Sequence, residues 1–255
     1  MTNVTTVGSS AFNGCNINNV VWSSTQTTIP NGCFEGCGLQ SITNLTHVTE
    51  LVGRSLKGCS LNHVLYLKNV ATTLYYGTTI SSASNGSTFT GDNLSGSAYA
   101  LYMPKTKDLY GGYYSNNTYS SGFFGSRGTT TIPVVYFKDL EELYPSSFGS
   151  LSCTSLIINN VTPPVWYNSL KKTDTEVAEN EGQQKKNVFP SDCHITNIYV
   201  PNSAVSTYRN NSDWSTLLAK GVNILSMNDL THYATEAAWI AAGKPETGII
   251  DAYMS

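Results

Sequence analysis

The chain has little charge, and what it has is not gathered in one place. Only 12% of its 255 residues are Asp, Glu, Lys or Arg, and 14 basic against 17 acidic residues leave a net charge of -3. Binding to DNA or RNA needs a clustered basic face that neutralises phosphates, so no nucleic-acid partner is expected. Long hydrophobic runs are missing too: none approaches the roughly 18 apolar residues of a bilayer span, and no membrane span is expected. The opening Met-Thr-Asn-Val-Thr-Thr-Val lacks the basic and apolar regions of a secretory signal peptide. Histidine is scarce, and His47, His63, His194 and His232 include no pair at metal-ligand helical spacing. There is no H-E-x-x-H, no phosphate-binding Walker loop and no G-x-S-x-G. The sequence therefore predicts no catalytic residue, no metal and no cofactor.

What is present is a period. Cys15, Cys37 and Cys59 stand 22 residues apart, as do Phe12, Phe34 and Leu56; Ile17, Leu39 and Leu61; Val20, Ile42 and Val64; Val7, Ile29 and Leu51; Gly14, Gly36 and Gly58. Six columns in one register mark a repeat protein, and a period in the low twenties is that of leucine-rich repeats. The end of each unit alternates as a short strand does, and Gly-Cys or Asn-Gly pairs mark the turn that feeds it. One unit cannot bury its own apolar face, so neighbours must stack to create the core. Further units continue the pattern, giving seven rungs keyed by Val20, Ile42, Val64, Leu101, Val135, Leu156 and Ile198, at steps of 22, 22, 37, 34, 21 and 42 residues. The long steps carry insertions.

Six cysteines could suggest disulfides or zinc, but their columns point elsewhere. Around Phe148 to Ile158, Leu151 and Cys153 exchange columns, so the Cys column asks for a small apolar group rather than a thiol. Cys33 and Cys37 have a ligand-like spacing, yet Cys33 shares its column with Ala11 and Ser55. Cys193 and His194 are neighbours on a strand, which turns them to opposite faces. Glu141 and Glu142 read as solvent-facing turn residues between Leu140 and Leu143.

The runs "AFNGCNINNV", "CFEGCGLQSI" and "SLKGCSLNHV" resemble the BspA-like, or treponemal-type, leucine-rich repeat. The closing "NIYVPNSAVSTYRNNSDWSTLLAKGVNIL" is similar to a C-terminal cap common in gut-bacterial members, and "VTPPVW" to the turn that precedes it. The resemblance covers about residues 4 to 226. It implies an α/β-type repeat solenoid: an irregular right-handed stack of short parallel strands, about seven rungs, with inserted loops and a helical C-terminal cap. It also implies a non-enzymatic adhesion or recognition module that takes protein or glycan at a cell surface. Related modules occur in phage virions, and the signal-free start favours the alternative of a virion structural component, such as a fibre or capsid decoration protein. A homo-oligomer or larger assembly would favour the virion reading, and a monomer the recognition module.

The solenoid is expected over 1–226, with insertions at about 71–97, 105–131 and 168–188 and the cap at about 201–226; a helical tail follows over 227–255. The second insertion, "LYGGYYSNNTYSSGFFG", supplies the candidate ligand-contacting residues Tyr110, Tyr113, Tyr114, Tyr119, Phe123 and Phe124. Tyr, Ser, Gly and Asn suit adaptable recognition loops, because Tyr brings large contact area at low entropy cost. The same rings could equally pack back over the repeats or extend their sheet. The third insertion mixes Lys171, Lys172, Lys185 and Lys186 with four carboxylates and reads as a solvated loop. In the cap, Ser203 is the expected N-cap and Gly221 the stop, with Val205, Tyr208, Trp214, Leu217 and Leu218 over the last rung. In the tail, Asp229 is expected to cap a helix over Thr231 to Ala242 whose apolar set is Tyr233, Ala237, Trp239 and Ile240.

Overall fold

The computed structural model describes residues 4–71, 94–109, 113–115, 118–120, 123–124, 130–144, 146–167 and 188–255. Its strands are short, and every pairing among the described residues is parallel except one hairpin. The sequence period is the register of the first ladders. β1 (Asn19–Val21) sets Val20 against Ile42 of β3 (Ser41–Thr43), and β2 (Thr28–Ile29) sets Ile29 against Leu51 of β4 (Glu50–Leu51). Each apolar residue thus packs on its own equivalent one repeat away. The turns obey the same step: Phe12 N–H donates to Cys33 O, and Phe34 N–H to Ser55 O. Their rings follow, with Phe12 stacked on Phe34 at 5.4 Å and 10° between planes.

Beyond residue 55 nine of the strands join into one sheet. A long ladder runs through β6 (Val64–Tyr66), β8 (Ala100–Met103), β13 (Val134–Phe137), β15 (Leu151–Ile158), β17 (His194–Val200) and β18 (Asn223–Ser226). Its core column is Leu65, Leu101, Val135, Leu156, Ile198 and Ile224. A second ladder of β5 (Leu56–Ser60), β7 (Leu94–Ser97) and β12 (Thr130–Thr131) merges with the first at the N-terminal ends of β15 and β17. A third, of β9 (Asp108–Leu109), β14 (Glu142–Leu143) and β16 (Val165–Trp166), turns Leu109, Leu143 and Trp166 into the core. β7, β9 and β12 fall within the expected insertions over 71–97 and 105–131, which are shorter by those strands. Their Ser, Thr and Gly give no hydropathy pattern.

The expected column through Val64 is off by one residue. Leu65, not Val64, pairs with Leu101 and enters the main core; Val64 pairs with Ala100 and joins a second cluster. The cause is His63, whose ring stands where β3 and β6 would otherwise pair. Its Nε2 lies 2.9 Å from Ile42 O and its Nδ1 3.2 Å from Gln40 O, so a side chain replaces one stretch of backbone pairing.

The cysteine column is buried at Cys37 and Cys59 but exposed at Cys15. All six thiols are free. The column that begins at Cys59 passes through Gly96 and Thr130 to Leu151, so the site takes whatever small or apolar group fits. The glycines that precede Cys15, Cys37 and Cys59 recur for a backbone reason: Gly14, Gly36 and Gly58 sit at φ +66°, +67° and +73°, where a Cβ is strained.

The C-terminal cap closes the far end. Pro201 leads into a 3-10 turn, α1 (Val205–Asn210) and α2 (Ser215–Leu218), which bury Tyr208, Trp214 and Leu217. Ser203 lies inside the 3-10 turn and caps nothing through its side chain. Arg209 donates from Nε and Nη2 to Ile224 O and so occupies an acceptor of the last strand. The segment after it is not the expected helical tail. β19 (Thr231–Tyr233) pairs in parallel with β20 (Gly248–Ile250), and α3 (Glu236–Ala241) crosses between them. Thr235, not Asp229, caps that helix by accepting from Ala238 N–H. Trp239, Ile249 and Ile250 are buried, whereas Ile240 is exposed.

Candidate functional site

The strand face that could present ligand contacts is mostly closed. On the long ladder the residue after each core position points outward, and these residues are Tyr66, Tyr102, Tyr136, Ile157, Tyr199 and Leu225. The 227–255 segment lies over them. Tyr253 stacks on Tyr66 at 4.5 Å and meets Tyr102 edge-on at 5.5 Å. The Tyr102 hydroxyl accepts from Ile250 N–H at 2.8 Å, and Tyr66 and Tyr136 donate to Ser255 O and Met254 O. Lys244 places Nζ 4.0 Å above the Tyr99 ring. These contacts form a second apolar cluster. The signal for it was in the sequence, one place beyond each core column. What remains open on this side is the polar start, with Asn19, Val21 and Thr43 exposed.

The outer face of the third ladder carries carboxylates in register, Asp108 beside Glu142. Glu142 was expected on a solvent-facing turn; it lies on β14 and both its oxygens hold phenols. Tyr144 donates to Oε2 at 2.7 Å and Tyr167 to Oε1 at 3.3 Å, with the two rings stacked at 5.2 Å. Burial, then the neighbouring carboxylate, pushes the Tyr144 hydroxyl well above its usual range. Glu141 pairs with Lys107 at 3.0 Å on the open surface. This constellation braces a turn. Among the described residues no group of three His, Cys, Asp or Glu side chains could hold a metal ion.

Burial favours the protonated form of five of the six thiols. Burial pushes Cys33, Cys59 and Cys193 up to about 12 from the ordinary 9.0, and raises Cys37 and Cys153 as well. A thiol in that state is a packing group, not a nucleophile, and Cys193 beside His194 gains no reactivity. A stability prediction follows from linkage. Above pH 9 the unfolded thiols ionise while the native ones keep their protons, so stability falls as pH rises from about 9 toward 12. Urea midpoints measured at pH 8, 9, 10 and 11 are expected to start falling above 9, less steeply for Cys59→Ala. A flat profile would show that these thiols are not buried in solution.

The six candidate contact residues divide. Tyr110 lies outside the described residues. Tyr113, Tyr114 and Tyr119 sit on the antiparallel hairpin β10 (Tyr113–Ser115) and β11 (Thr118–Ser120), with Tyr114 and Tyr119 as register partners. Phe123 and Phe124 must be removed from the set, because both are fully buried. Phe124 stacks on Phe148 at 5.9 Å and Phe123 meets Phe124 edge-on at 4.9 Å. Composition cannot separate a ring offered to a ligand from one that fills the core, and here the core needed two.

Residues 2–90 match the family model of the BspA type leucine rich repeat region, in six copies. That stretch contains the three regular 22-residue units and ends before β7. No curated protein matches the chain.

Proposed function

We propose that the chain is a BspA-like leucine-rich-repeat solenoid of about seven rungs, and that it acts as a non-enzymatic recognition module for protein or glycan at a surface. The repeat it resembles generally serves adhesion and protein binding. No helix among the described residues is long and apolar enough to cross a membrane. The carrying observation is the β10–β11 hairpin, antiparallel where every other pairing among the described residues is parallel, and rich in Tyr, Ser, Asn and Thr. The tyrosine column is covered by the 227–255 segment, so the proposed contact passes to the hairpin. Tyr110, Tyr113, Tyr114 and Tyr119 are the proposed contact residues.

The test is a double variant, Tyr113→Ala with Tyr114→Ala, screened beside the parent on a glycan array and a surface-protein panel. Removing two aromatic contacts is expected to weaken binding at least about 30-fold while leaving the melting temperature unchanged. A fall in melting temperature would place those rings in the core and end the proposal.

A further inference from the structure

The two ladders that share β15 and β17 do not end together. The long ladder continues from β17 to β18, starting at the Asn197–Asn223 pair. The second ladder stops: His194 and Ile195 pair with Ser152 and Cys153 on one side, and among the described residues no strand pairs with them on the other. Continued backwards, the β17–β18 register would set Thr196 against Val222, Ile195 against Gly221 and His194 against Lys220. The chain leaves that course. Gly221 stands at φ +83°, and Val222 N–H turns back to Leu217 O. The two segments therefore splay apart, and an open cleft of about 590 Å³ lies in the split.

The chemistry of that cleft is specific. Phe189 and Leu217 are buried beneath it, Ile195 and Val222 line it half-exposed, and His194 and Lys220 stand exposed at its rim. A paired strand directs its N–H and C=O groups alternately to its two sides, so His194–Thr196 offers backbone groups to the cleft. Their natural complement is another extended backbone. Lys220 brings a cation whose Nζ donates to Phe189 O at 3.4 Å, while the nearby Asp192 accepts from Ser150 at 3.1 Å. The rim thus favours a carboxylate.

We propose that this cleft binds an extended peptide as an added strand beside His194–Thr196, with an apolar side chain against Ile195 and Val222 and a carboxylate at Lys220. The site is separate from the β10–β11 hairpin and rests on different observations.

The probe is a fluorescein-labelled peptide, Ser-Val-Thr-Val-Ser-Val-Asp, followed by anisotropy with the full chain and by hydrogen exchange. Saturable binding is expected, with slowed exchange at residues 194–196. Lys220→Glu is expected to weaken it by about five- to tenfold, as loss and reversal of a rim charge should. A peptide N-methylated at alternate residues should not bind, because it cannot complete a ladder. The Tyr113→Ala, Tyr114→Ala protein should bind the probe as the parent does. Absence of saturable binding overturns the proposal, and so does binding that Lys220→Glu and N-methylation leave unchanged.

Discussion

Trp239→Ala is expected to lower stability by about 3–5 kcal/mol, the usual cost of emptying a buried aromatic site. The ring is 1% exposed and belongs to the cluster between the tyrosine column and the 227–255 segment. Its Nε1 donates to Pro245 O at 3.1 Å, so the side chain also ties the loop between α3 and β20. Packing there is tight: a Cβ on Gly248 would meet Tyr233 at 2.8 Å and Trp239 at 3.0 Å. No neighbour is poised to fill the space, and the released segment would uncover Tyr66, Tyr102 and Tyr136. For a chain of this size the loss corresponds to a drop in melting temperature of roughly 6–20 °C. Thermal unfolding measures it, and dye binding to exposed apolar surface should rise in parallel. A loss below about 1 kcal/mol would mean that the segment is only loosely laid on the sheet.

Phe148→Ala should cost a similar amount, for a different reason. Phe148 is the middle ring of a stack, 5.9 Å from Phe124 and 4.5 Å from Phe189, with Phe137 edge-on at 6.5 Å. Truncation removes its burial and three aromatic contacts at once, so about 3–5 kcal/mol is expected, the contacts being non-additive. The stack also spans segments far apart in sequence. Phe124 lies within one insertion and Phe189 follows another, and Trp166 and Trp214 carry the contact on into the cap. Phe148→Leu keeps most of the volume and should cost less than about 1.5 kcal/mol. Urea denaturation of both variants checks the pair. Equal losses for Ala and Leu would show that ring stacking, rather than filled volume, braces this part of the core.

These two sites differ in how far sequence could reach them. Phe148 belongs to a recognisable unit with Leu151, Cys153, Leu156 and Ile158, and its burial follows from that pattern. Trp239 was legible only as one apolar residue in a thin helix. The second cluster that gives it weight depends on Tyr66, Tyr102, Tyr136 and Tyr199, which come from four strands and meet only when the ladder is assembled.

The sequence by itself determined the repeat, its step and most of its core columns. It could do so because a residue in a parallel stack packs on its own equivalent in the next unit, which turns a long-range contact into a local period. Gly14, Gly36 and Gly58 were legible for the same reason, as one left-handed turn written three times. Tertiary structure alone decided the rest. It decided that His63 would take the place of a backbone pairing and pass the column from Val64 to Leu65. It decided that Phe123 and Phe124 would fill the core. Thr231–Tyr233 and Gly248–Ile250 became strands because each finds the other across α3, a pairing that no local propensity encodes. The cleft beside His194–Thr196 exists because one ladder outlasts its neighbour by a strand, and the end of a stack repeats nothing.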